Sequence, residues 1–465
     1  MNLKQTFNLE LMVISLLFLL FFRTGIALRL SGPFDEACYL SRAEQWVGLA
    51  SHGCEGKSHF PGIAILWIPA ALVGRVVAFF LGANPSDWIA AFCGLSSFLF
   101  WIGTWKIIKA LFKHFKISVP SWVPFGVLLN IPVLYYAFAR ALLAHSGEVF
   151  IAFLYVLMVI RKRLWSSLFL LLLLFLIRPN NWGAFLFLVP QLVSGFHSTH
   201  LKERQNSWIL GVGLVLWVFL FLAVFIRFGL FTGYHGTFLI PVLMDWQPRS
   251  LLEFFFRTDH GVFWNQFLWV GVFVFSVIRF NVLNDLEVAA LFWMMSSALS
   301  AIFWPTYGSS FGYRYILGAY APALFICLNF WSSKKTFGPP LKKLMSFVLL
   351  LGAFWSLNLY WISTAPPPLW PWTDPFLTQL SPPYSVLTHW FTHTQSLVKM
   401  ISFSSIWQMV QWFSGKEIFL NFSGTKLPYF FEGDLKKFTL FLTVTVFMIF
   451  GVSAVNVFRQ KLKEQ

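Results

Sequence analysis

Residues 164–181 read LWSSLFLLLLLFLI and then RPNN, an apolar run that stops at an arginine and a proline. Such a run is typical of a membrane-spanning helix, which needs roughly 20 mostly apolar residues. Pro179 interrupts helical structure because it has no backbone N–H and disfavours helical geometry at Arg178 before it. The stretch therefore predicts one membrane span that ends at Arg178.

The composition of the whole chain agrees with this interpretation. Of its 465 residues, 58% are hydrophobic and 11% are charged, and the mean hydropathy is +0.69. A soluble chain carries about 25% charged residues, so a water-soluble, disordered, collagen-like or coiled-coil protein is excluded. The net charge of +16 is interpreted as lysines and arginines kept on the cytoplasmic side. We expect no nucleic-acid partner, because no basic stripe or Gly-rich phosphate loop is present.

Apolar runs predict an all-α polytopic membrane protein with about twelve transmembrane helices. The predicted spans are 9–28, 88–107, 119–138, 141–160, 164–178, 181–196, 208–228, 262–279, 286–304, 314–332, 344–362 and 438–457.

One more apolar stretch, 60–82, contains Pro61, Pro69 and Arg75 and could be a span or a pair of interfacial helices. If it stays outside the bilayer, 18 of the 34 lysines and arginines fall on one side, in about 60 residues of loop. This matches the excess of basic residues in cytoplasmic loops. The sequence therefore predicts juxtamembrane helices in the first outer loop and places both termini in the cytoplasm.

The predicted outer side carries the long loops 29–87, 229–261 and 363–437. The last of these begins with three prolines and continues with aromatic segments that predict interfacial helices. The predicted organisation is a membrane module 1–362, the outer loop 363–437, and a last span with a cytoplasmic tail 438–465. Any chemistry is expected to face outward, because the cytoplasmic loops are short.

Two of the four cysteines, Cys38 and Cys54, share the first outer loop. They could form a disulfide if the loop faces an oxidising compartment, or they could be two unpaired thiols.

Adjacent carboxylates, Asp35 and Glu36, follow the first span closely and lead into a predicted helix, 37–49. A carboxyl group that is partly shielded from water can have its pKa raised into the range useful for a general base. The alternative is a solvated helix N-terminus, where acidic residues complement the helix dipole.

Other polar residues occur on the same predicted side. Three arginines there suggest an anionic ligand such as a phosphate, although arginines near a bilayer edge can also snorkel at little cost. These polar residues are Arg140, His145, Glu148, Arg178, Asn180, Asn181, Asp259, His260, Tyr313 and Arg314.

A metal site has weaker support, since the ten histidines are scattered and no HxxxH or HExxH pair is present. His52 and His59, with Asp35, Glu36 and Glu55, could form a divalent-cation site; surface residues are the other interpretation. The sequence identifies no metal ligand with certainty and requires no cofactor.

In order and sidedness, these segments resemble the GT-C superfamily of integral-membrane glycosyltransferases, especially the protein O-mannosyltransferases and the lipid A aminoarabinose transferase. The resemblance covers roughly residues 10–330. One departure is His59-Phe60-Pro61, where the family usually has Lys-Pro-Pro. The segments that carry the resemblance begin at Phe34-Asp35-Glu36-Ala37-Cys38-Tyr39, Lys57, Ala139-Arg140, Arg178-Pro179-Asn180, Asp259-His260-Gly261 and Phe311-Gly312-Tyr313-Arg314.

The resemblance implies transfer of a sugar from a polyprenyl-phosphate donor to a lipid, glycan or protein acceptor, with inversion. It implies Asp35 as the base, Glu36 as its partner, and Arg314, Arg178 and Arg140 as ligands of the donor phosphate. It implies a bacterial inner-membrane protein whose active site faces the periplasm. The substrate-binding residues implied are Tyr39, His59, His145, Asn180, Tyr313, Asp259 and His260.

The alternative hypothesis is a multi-pass transporter or lipid flippase, because twelve spans are also common among transporters. A transporter is expected to have related halves and polar residues near the membrane midplane. A lesser alternative is another lipid-dependent transferase, such as a polysaccharide ligase.

Overall fold

A computed structural model gives the structure of the protein. Within the ranges that it describes, every regular element is a helix and no strand occurs. The described residues are 3–21, 35–49, 61–120, 122–138, 141–196, 201–224, 252, 254–256, 262–303, 314–332, 347, 349, 351–353 and 434–464.

The α-helices are α1 Leu3–Phe21, α2 Asp35–Trp46, α3 Gly62–Leu81, α4 Pro85–His114, α5 Trp122–Asn130, α6 Val133–Phe138, α7 His145–Ile160, α8 Leu164–Ile177, α9 Val189–Phe196, α10 Leu201–Val224, α11 Val262–Asn265, α12 Phe267–Ile278, α13 Asp285–Phe303, α14 Tyr320–Ser332 and α15 Asp434–Glu464. In the described part of the chain, the 3₁₀ helices are η1 Pro179–Leu188, η2 Phe280–Val282 and η3 Arg314–Ala319.

Four described helices are long and apolar enough to cross a membrane: Gly62–Leu81, Pro85–His114, Asp285–Ile302 and Leu440–Arg459. Shorter apolar helices, among them α7, α8 and α12, accompany them. The chain is therefore a helical membrane protein by length and composition. Residues 363–433 of the predicted outer loop 363–437 lie outside the described residues, and α15 already begins at Asp434.

The central helices form a bundle whose directions follow from side-chain contacts. Ser97 donates a hydrogen bond to the Ala141 carbonyl at 2.5 Å, and the Phe100 and Phe150 rings stack at 5.4 Å. Since both pairs advance together along the chain, α4 and α7 run in the same direction. α8 returns beside α7 through a short turn, so the start of α7 and the end of α8 share one end of the bundle. We call it the Arg178 end.

α1 and α15 lie on another side of the bundle, where they contact α4. Glu10 on α1 accepts a hydrogen bond from Lys109 near the end of α4, and Phe18 contacts Phe98 further back along α4. α1 is therefore antiparallel to α4. α1 also packs along α15, whose Phe438 contacts Trp88 at the start of α4.

η1 and α13 also run antiparallel, and very close together. Trp182 donates to the Ser300 hydroxyl at 3.2 Å, and a Cβ atom added at Gly183 would collide with Ser296. Small residues at such contacts let helix backbones approach, which is how helices associate in membranes. Because η1 starts at the Arg178 end, α13 begins at the opposite end, which we call the Glu287 end.

The ends of the helices match the sequence prediction where local signals are strong. α8 ends one residue before the predicted limit. The predicted span 119–138 is instead two helices, α5 and α6, separated at Ile131 and Pro132. Pro132 cannot donate to the helical ladder. The buried Asn130 amide donates to the Gly126 carbonyl at 2.8 Å and to the Leu349 carbonyl at 2.7 Å, so it stabilises the break.

α3 packs against three neighbouring helices through their terminal turns. A Cβ atom at Gly62 would collide with the Leu176–Ile177 peptide at the end of α8, and the Ile63 side chain lies against Gly147 in the first turn of α7. Further along, Gly74 packs against the carbonyl of Trp88 in the first turn of α4. α3 thus starts at the Arg178 end and runs beside α4. It extends past the ends of the shorter helices α7 and α8 that lie there.

Candidate functional site

Four polar side chains meet at the Arg178 end, and all are almost fully buried. His145 and Glu148 are 0% exposed, Asn181 is 1% exposed and Arg178 is 3% exposed. Burying an ionised side chain in an apolar interior is unfavourable unless it is paired and hydrogen-bonded. We call these four residues the Arg178 cluster, and their contacts show how the charges are compensated.

The first turn of α7 supplies two members of the cluster. His145 and Glu148 are three residues apart and therefore share one face of the helix. The Glu148 backbone N–H already donates to the Ala144 carbonyl at 2.9 Å, so the helical ladder fixes this side chain at the start of the helix. An acidic residue there also complements the helix dipole.

The other two members flank Pro179, where α8 ends. Arg178 is extended, with φ −152° and ψ 111°, as expected for a residue before proline. Its N–H still donates to the Leu174 carbonyl at 3.0 Å, so the chain leaves the helix only at this residue. The RPNN sequence thus breaks the helix where its polar side chains enter the bundle.

The bond between Arg178 and His145 fixes the protonation of the histidine. Arg178 Nη2 lies 3.1 Å from His145 Nε2. Because a guanidinium can only donate, Nε2 accepts, and the neutral ring carries its proton on Nδ1. That N–H points to Glu148 Oε2 at 3.3 Å. The Tyr136 ring packs against the imidazole, with 4.2 Å between ring centroids.

Glu148 is the shared acceptor of the cluster. Its Oε2 atom forms an ion pair with Arg178 Nε at 3.6 Å, which is longer than a hydrogen bond. Its Oε1 atom accepts a hydrogen bond from Asn181 Nδ2 at 2.8 Å. Among the described residues, the Glu148 carboxylate therefore pairs with the Arg178 guanidinium, and α7 is joined to both sides of Pro179.

η3 borders the Arg178 cluster on the side of Asn181. It packs against α7 and η1, and a Cβ atom added at Gly318 would collide with Asn181 Oδ1. Glycine is therefore required at this approach of backbone to side chain. η3 begins with Arg314, one of the predicted phosphate ligands, so the segment that carries it adjoins the cluster.

α2, which carries the predicted base, runs beside α3. The Arg75 guanidinium lies over Gly48 after the end of α2. Glu44, four residues before Gly48, lies near the Cys93 thiol of α4, and Cys93 lies closer to the Arg178 end than Trp88 does. α2 and α3 therefore run in the same direction. The first turn of α2 lies at the same end of α3 as Gly62, which packs on the residue before Arg178.

Ten of the twelve predicted site residues fall into three groups. His145 and Arg178 are in direct contact. For Asp35, Glu36 and Arg314 the structure describes the helix position but not the side chain. The predicted residues outside the described part of the chain are Arg140, His59, Asp259, His260 and Tyr313.

The structure also describes two predicted substrate-binding residues, Tyr39 and Asn180, whose predicted role stays a prediction. Tyr39 is 1% exposed and packs in the apolar core. It lies near Arg42, and burial lowers the pKa of the Arg42 guanidinium while Tyr39 opposes that change. Asn180 offers its carbonyl to the Ser297 hydroxyl at 3.5 Å, whereas its neighbour Asn181 enters the cluster.

Sequence reasoning gave no role to Glu148 or Asn181. The spacing of His145 and Glu148 on one helix face, and the second asparagine after Pro179, were the available signals. For the cysteines, the alternative left open by the sequence is decided: Cys38 is disulfide-bonded, and its partner lies outside the described residues.

No group of three or more histidine, cysteine, aspartate or glutamate side chains that could hold a metal ion is found in the described part of the chain. The divalent-cation hypothesis involves residues 52–59, which fall outside that part, and it stays a prediction.

Comparison of the chain with protein-family models, curated proteins and solved structures gave no match. The resemblance to the GT-C superfamily therefore stays a prediction.

Proposed function

We propose that the protein is a membrane glycosyltransferase that moves a sugar from a polyprenyl-phosphate donor to an acceptor on the outer face of the membrane. The observation that carries this proposal is the packing of η3, which begins at Arg314, beside the buried Arg178 cluster. The first turn of α2, which carries Asp35 and Glu36, lies at the same end of α3 as Gly62. This arrangement supports a site that combines carboxyl and arginine side chains.

The proposed topology has about twelve spans with both termini in the cytoplasm. Alternating helix directions support it, since α4 and α7 run opposite to α1, α8 and α13. The Lys109–Glu10 pair lies at the end that the basic loops assign to the cytoplasm. The disulfide at Cys38 supports an oxidising compartment for α2, such as the periplasm of a bacterial inner-membrane protein.

In this topology α3 is a juxtamembrane helix rather than a span. Its length and composition would suit either role. Its contacts support the first, because Gly62 and Gly74 both pack on terminal turns of neighbouring helices. The predicted GT-C-like module 1–362 would then keep α2 and α3 together above the spans, with no nucleotide-binding domain.

The proposed reaction is a single displacement. Asp35 takes the proton of an acceptor hydroxyl or amine, and the acceptor forms a bond to the anomeric carbon with inversion. The bond from that carbon to the phosphate oxygen breaks, and the lipid phosphate leaves with the bonding electrons. Arg314 and Arg178 stabilise its negative charge through charge-assisted hydrogen bonds. Glu36 would assist Asp35.

A transporter is the second candidate, and the broken helices favour it. Discontinuous helices bind substrates in many transporters, and here α5–α6 and α8–η1 are interrupted. The Arg178 cluster, however, lies where α7 starts and α8 ends, rather than halfway along these helices. This position is more typical of a site that opens to one side only.

The test uses purified protein in lipid nanodiscs with a panel of polyprenyl-phosphate-linked hexoses and pentoses. Release of polyprenyl phosphate is followed by mass spectrometry. We expect Asp35→Asn to slow release about 10²–10⁴-fold, the usual contribution of a general base. Asp87→Asn is the matched control, because Asp87 is also an acid in the first turn of a helix, α4. Equal rates for wild type and Asp35→Asn would exclude Asp35 as the base. If the wild type releases no polyprenyl phosphate from any donor of the panel, the protein is not a transferase of this kind.

A further inference from the structure

We propose that Asn181 is a positioning residue that keeps the two arginine-bearing segments of the site, Arg178 and η3, in fixed register. The inference rests on the proposed function, because it concerns how the donor phosphate is held. Asn181 contacts both segments and can therefore hold them in place relative to each other, whereas each predicted arginine lies on only one of them.

The first step is the orientation of the Asn181 amide. Its Nδ2 atom donates to Glu148 Oε1 at 2.8 Å and lies 3.4 Å from the Arg178 carbonyl. Since a carboxylate only accepts hydrogen bonds, the nitrogen must face Glu148. The amide oxygen is then directed the opposite way, toward η3.

The second step is the contact with η3. A Cβ atom at Gly318 would collide with Asn181 Oδ1, so the oxygen lies close to the Gly318 Cα. Among the described residues, this oxygen has no conventional hydrogen-bond donor. The close approach fits a Cα–H···O contact, which is weak but directional. One side chain therefore touches the Glu148–Arg178 pair with one atom and η3 with another.

The third step is the backbone on which Asn181 sits. Asn181 has φ −85° and ψ 17°, which is a break within η1. 3₁₀ hydrogen bonds are poorer than those of an α-helix, so the side chain is expected to contribute more to holding this segment. α13 supports η1 from behind, where the Ser297 hydroxyl reaches the Asn180 carbonyl.

Asn181 carries no charge, which separates positioning from electrostatics. Replacing Glu148 would change both the placement and the net charge beside a phosphate. Replacing Asn181 by alanine removes its hydrogen bond to Glu148 and its contact with η3 but leaves the net charge unchanged. A loss of phosphate affinity in Asn181→Ala would therefore report on the register of the two segments.

The experiment measures binding of undecaprenyl phosphate to the full-length protein in nanodiscs, with undecaprenol as the phosphate-free reference. Asn130→Ala is the matched control, because Asn130 is also a buried asparagine at a helix break, with its oxygen against Gly352. We expect both variants to lower the thermal unfolding midpoint. Only Asn181→Ala should weaken undecaprenyl phosphate binding, by about tenfold.

A second background tests whether the effect passes through η3. In protein that already carries Arg314→Gln, the Asn181→Ala change should alter the affinity by less than twofold. If Asn181→Ala does not fold, Gly318→Ala replaces it, because this change displaces η3 and leaves the polar atoms in place.

Each outcome has a distinct meaning. Unchanged affinity in Asn181→Ala, or the same tenfold loss in the Arg314→Gln background, overturns the positioning role and leaves the proposed function standing. Equal binding of undecaprenyl phosphate and undecaprenol by the wild type overturns the proposed function and this inference with it.

Discussion

The two ends of the bundle both bury a glutamate, but they satisfy it in different ways. At the Glu287 end, Glu287 Oε2 accepts from the Asn284 backbone N–H at 2.8 Å, and Asn284 Oδ1 accepts from the Glu287 N–H at 3.0 Å. This is a reciprocal cap on the first turn of α13. The second oxygen of Glu287 accepts from Asn329 on α14 at 2.7 Å.

At the Arg178 end, Glu148 has partners from both sides of a helix break. Its contacts with Arg178 and Asn181 join residues 30 or more positions apart, and an arginine charge is part of the arrangement. Glu287 completes a helix start, whereas Glu148 fixes segments that have left helical geometry. Irregular backbone at membrane depth is tolerated where it is buried in protein or lines a cavity. The difference therefore supports the Arg178 end, rather than the Glu287 end, as the proposed site.

The largest effect is expected when one charge of the cluster is removed. Arg178→Met breaks the buried ion pair between Arg178 and Glu148, which typically costs about 3–5 kcal/mol. The double variant Arg178→Met/Glu148→Met removes both charges and should recover most of the loss. Thermal unfolding in detergent measures both. Arg279→Met, at an exposed arginine, is the control, and a double variant as unstable as Arg178→Met would contradict the pairing.

A smaller effect is expected from Gly318→Ala. The added methyl group collides with Asn181, and overpacking of this kind costs about 1–3 kcal/mol. Gly271→Ala on α12 is the matched control, because no atom outside its own helix turn lies within 4 Å of the added methyl. Equal unfolding midpoints for the two variants would show that η3 does not depend on the close approach.

At the Glu287 end, Asn284→Ala should cost about 1 kcal/mol, the usual effect of losing an N-cap. Asn284→Ser retains a capping oxygen and should restore most of the stability. Binding of undecaprenyl phosphate should not change in either variant. A change in binding would mean that the two ends are coupled and that the Glu287 end has more than a capping role.

The smallest effect is expected for Lys109→Ala. Lys109 pairs with Glu10 but is about one-third exposed, and such pairs contribute about 0.2–1 kcal/mol. Salt screens exposed charges, so the difference from wild type should shrink in 0.5 M NaCl. A loss that persists at high salt would indicate that the Trp105 ring, 4.9 Å from the Lys109 ammonium, contributes the stabilisation.

Local signals predicted the helix ends well and the tertiary contacts poorly. The end of α8 follows from Pro179, which acts on its immediate neighbour. Pro132 gave the same signal for the break between α5 and α6. The predicted span 119–138 missed this break because it was based on hydropathy alone. The choice of Asn181 over Asn180 depends on the rotation of η1, which its packing against α13 sets. Glu148 received no role because Arg178 and Asn181, which contact its carboxylate, are distant in sequence.

The packing of α1 against α15 has a consequence for how the chain assembles. These helices are more than 400 residues apart, and a ribosome adds about 5–20 residues per second. The face of α1 that later meets α15 must therefore wait roughly 20 s or longer for its partner. α1 therefore cannot be fully enclosed until α15 has been made, so late steps of biogenesis decide whether these two helices pack.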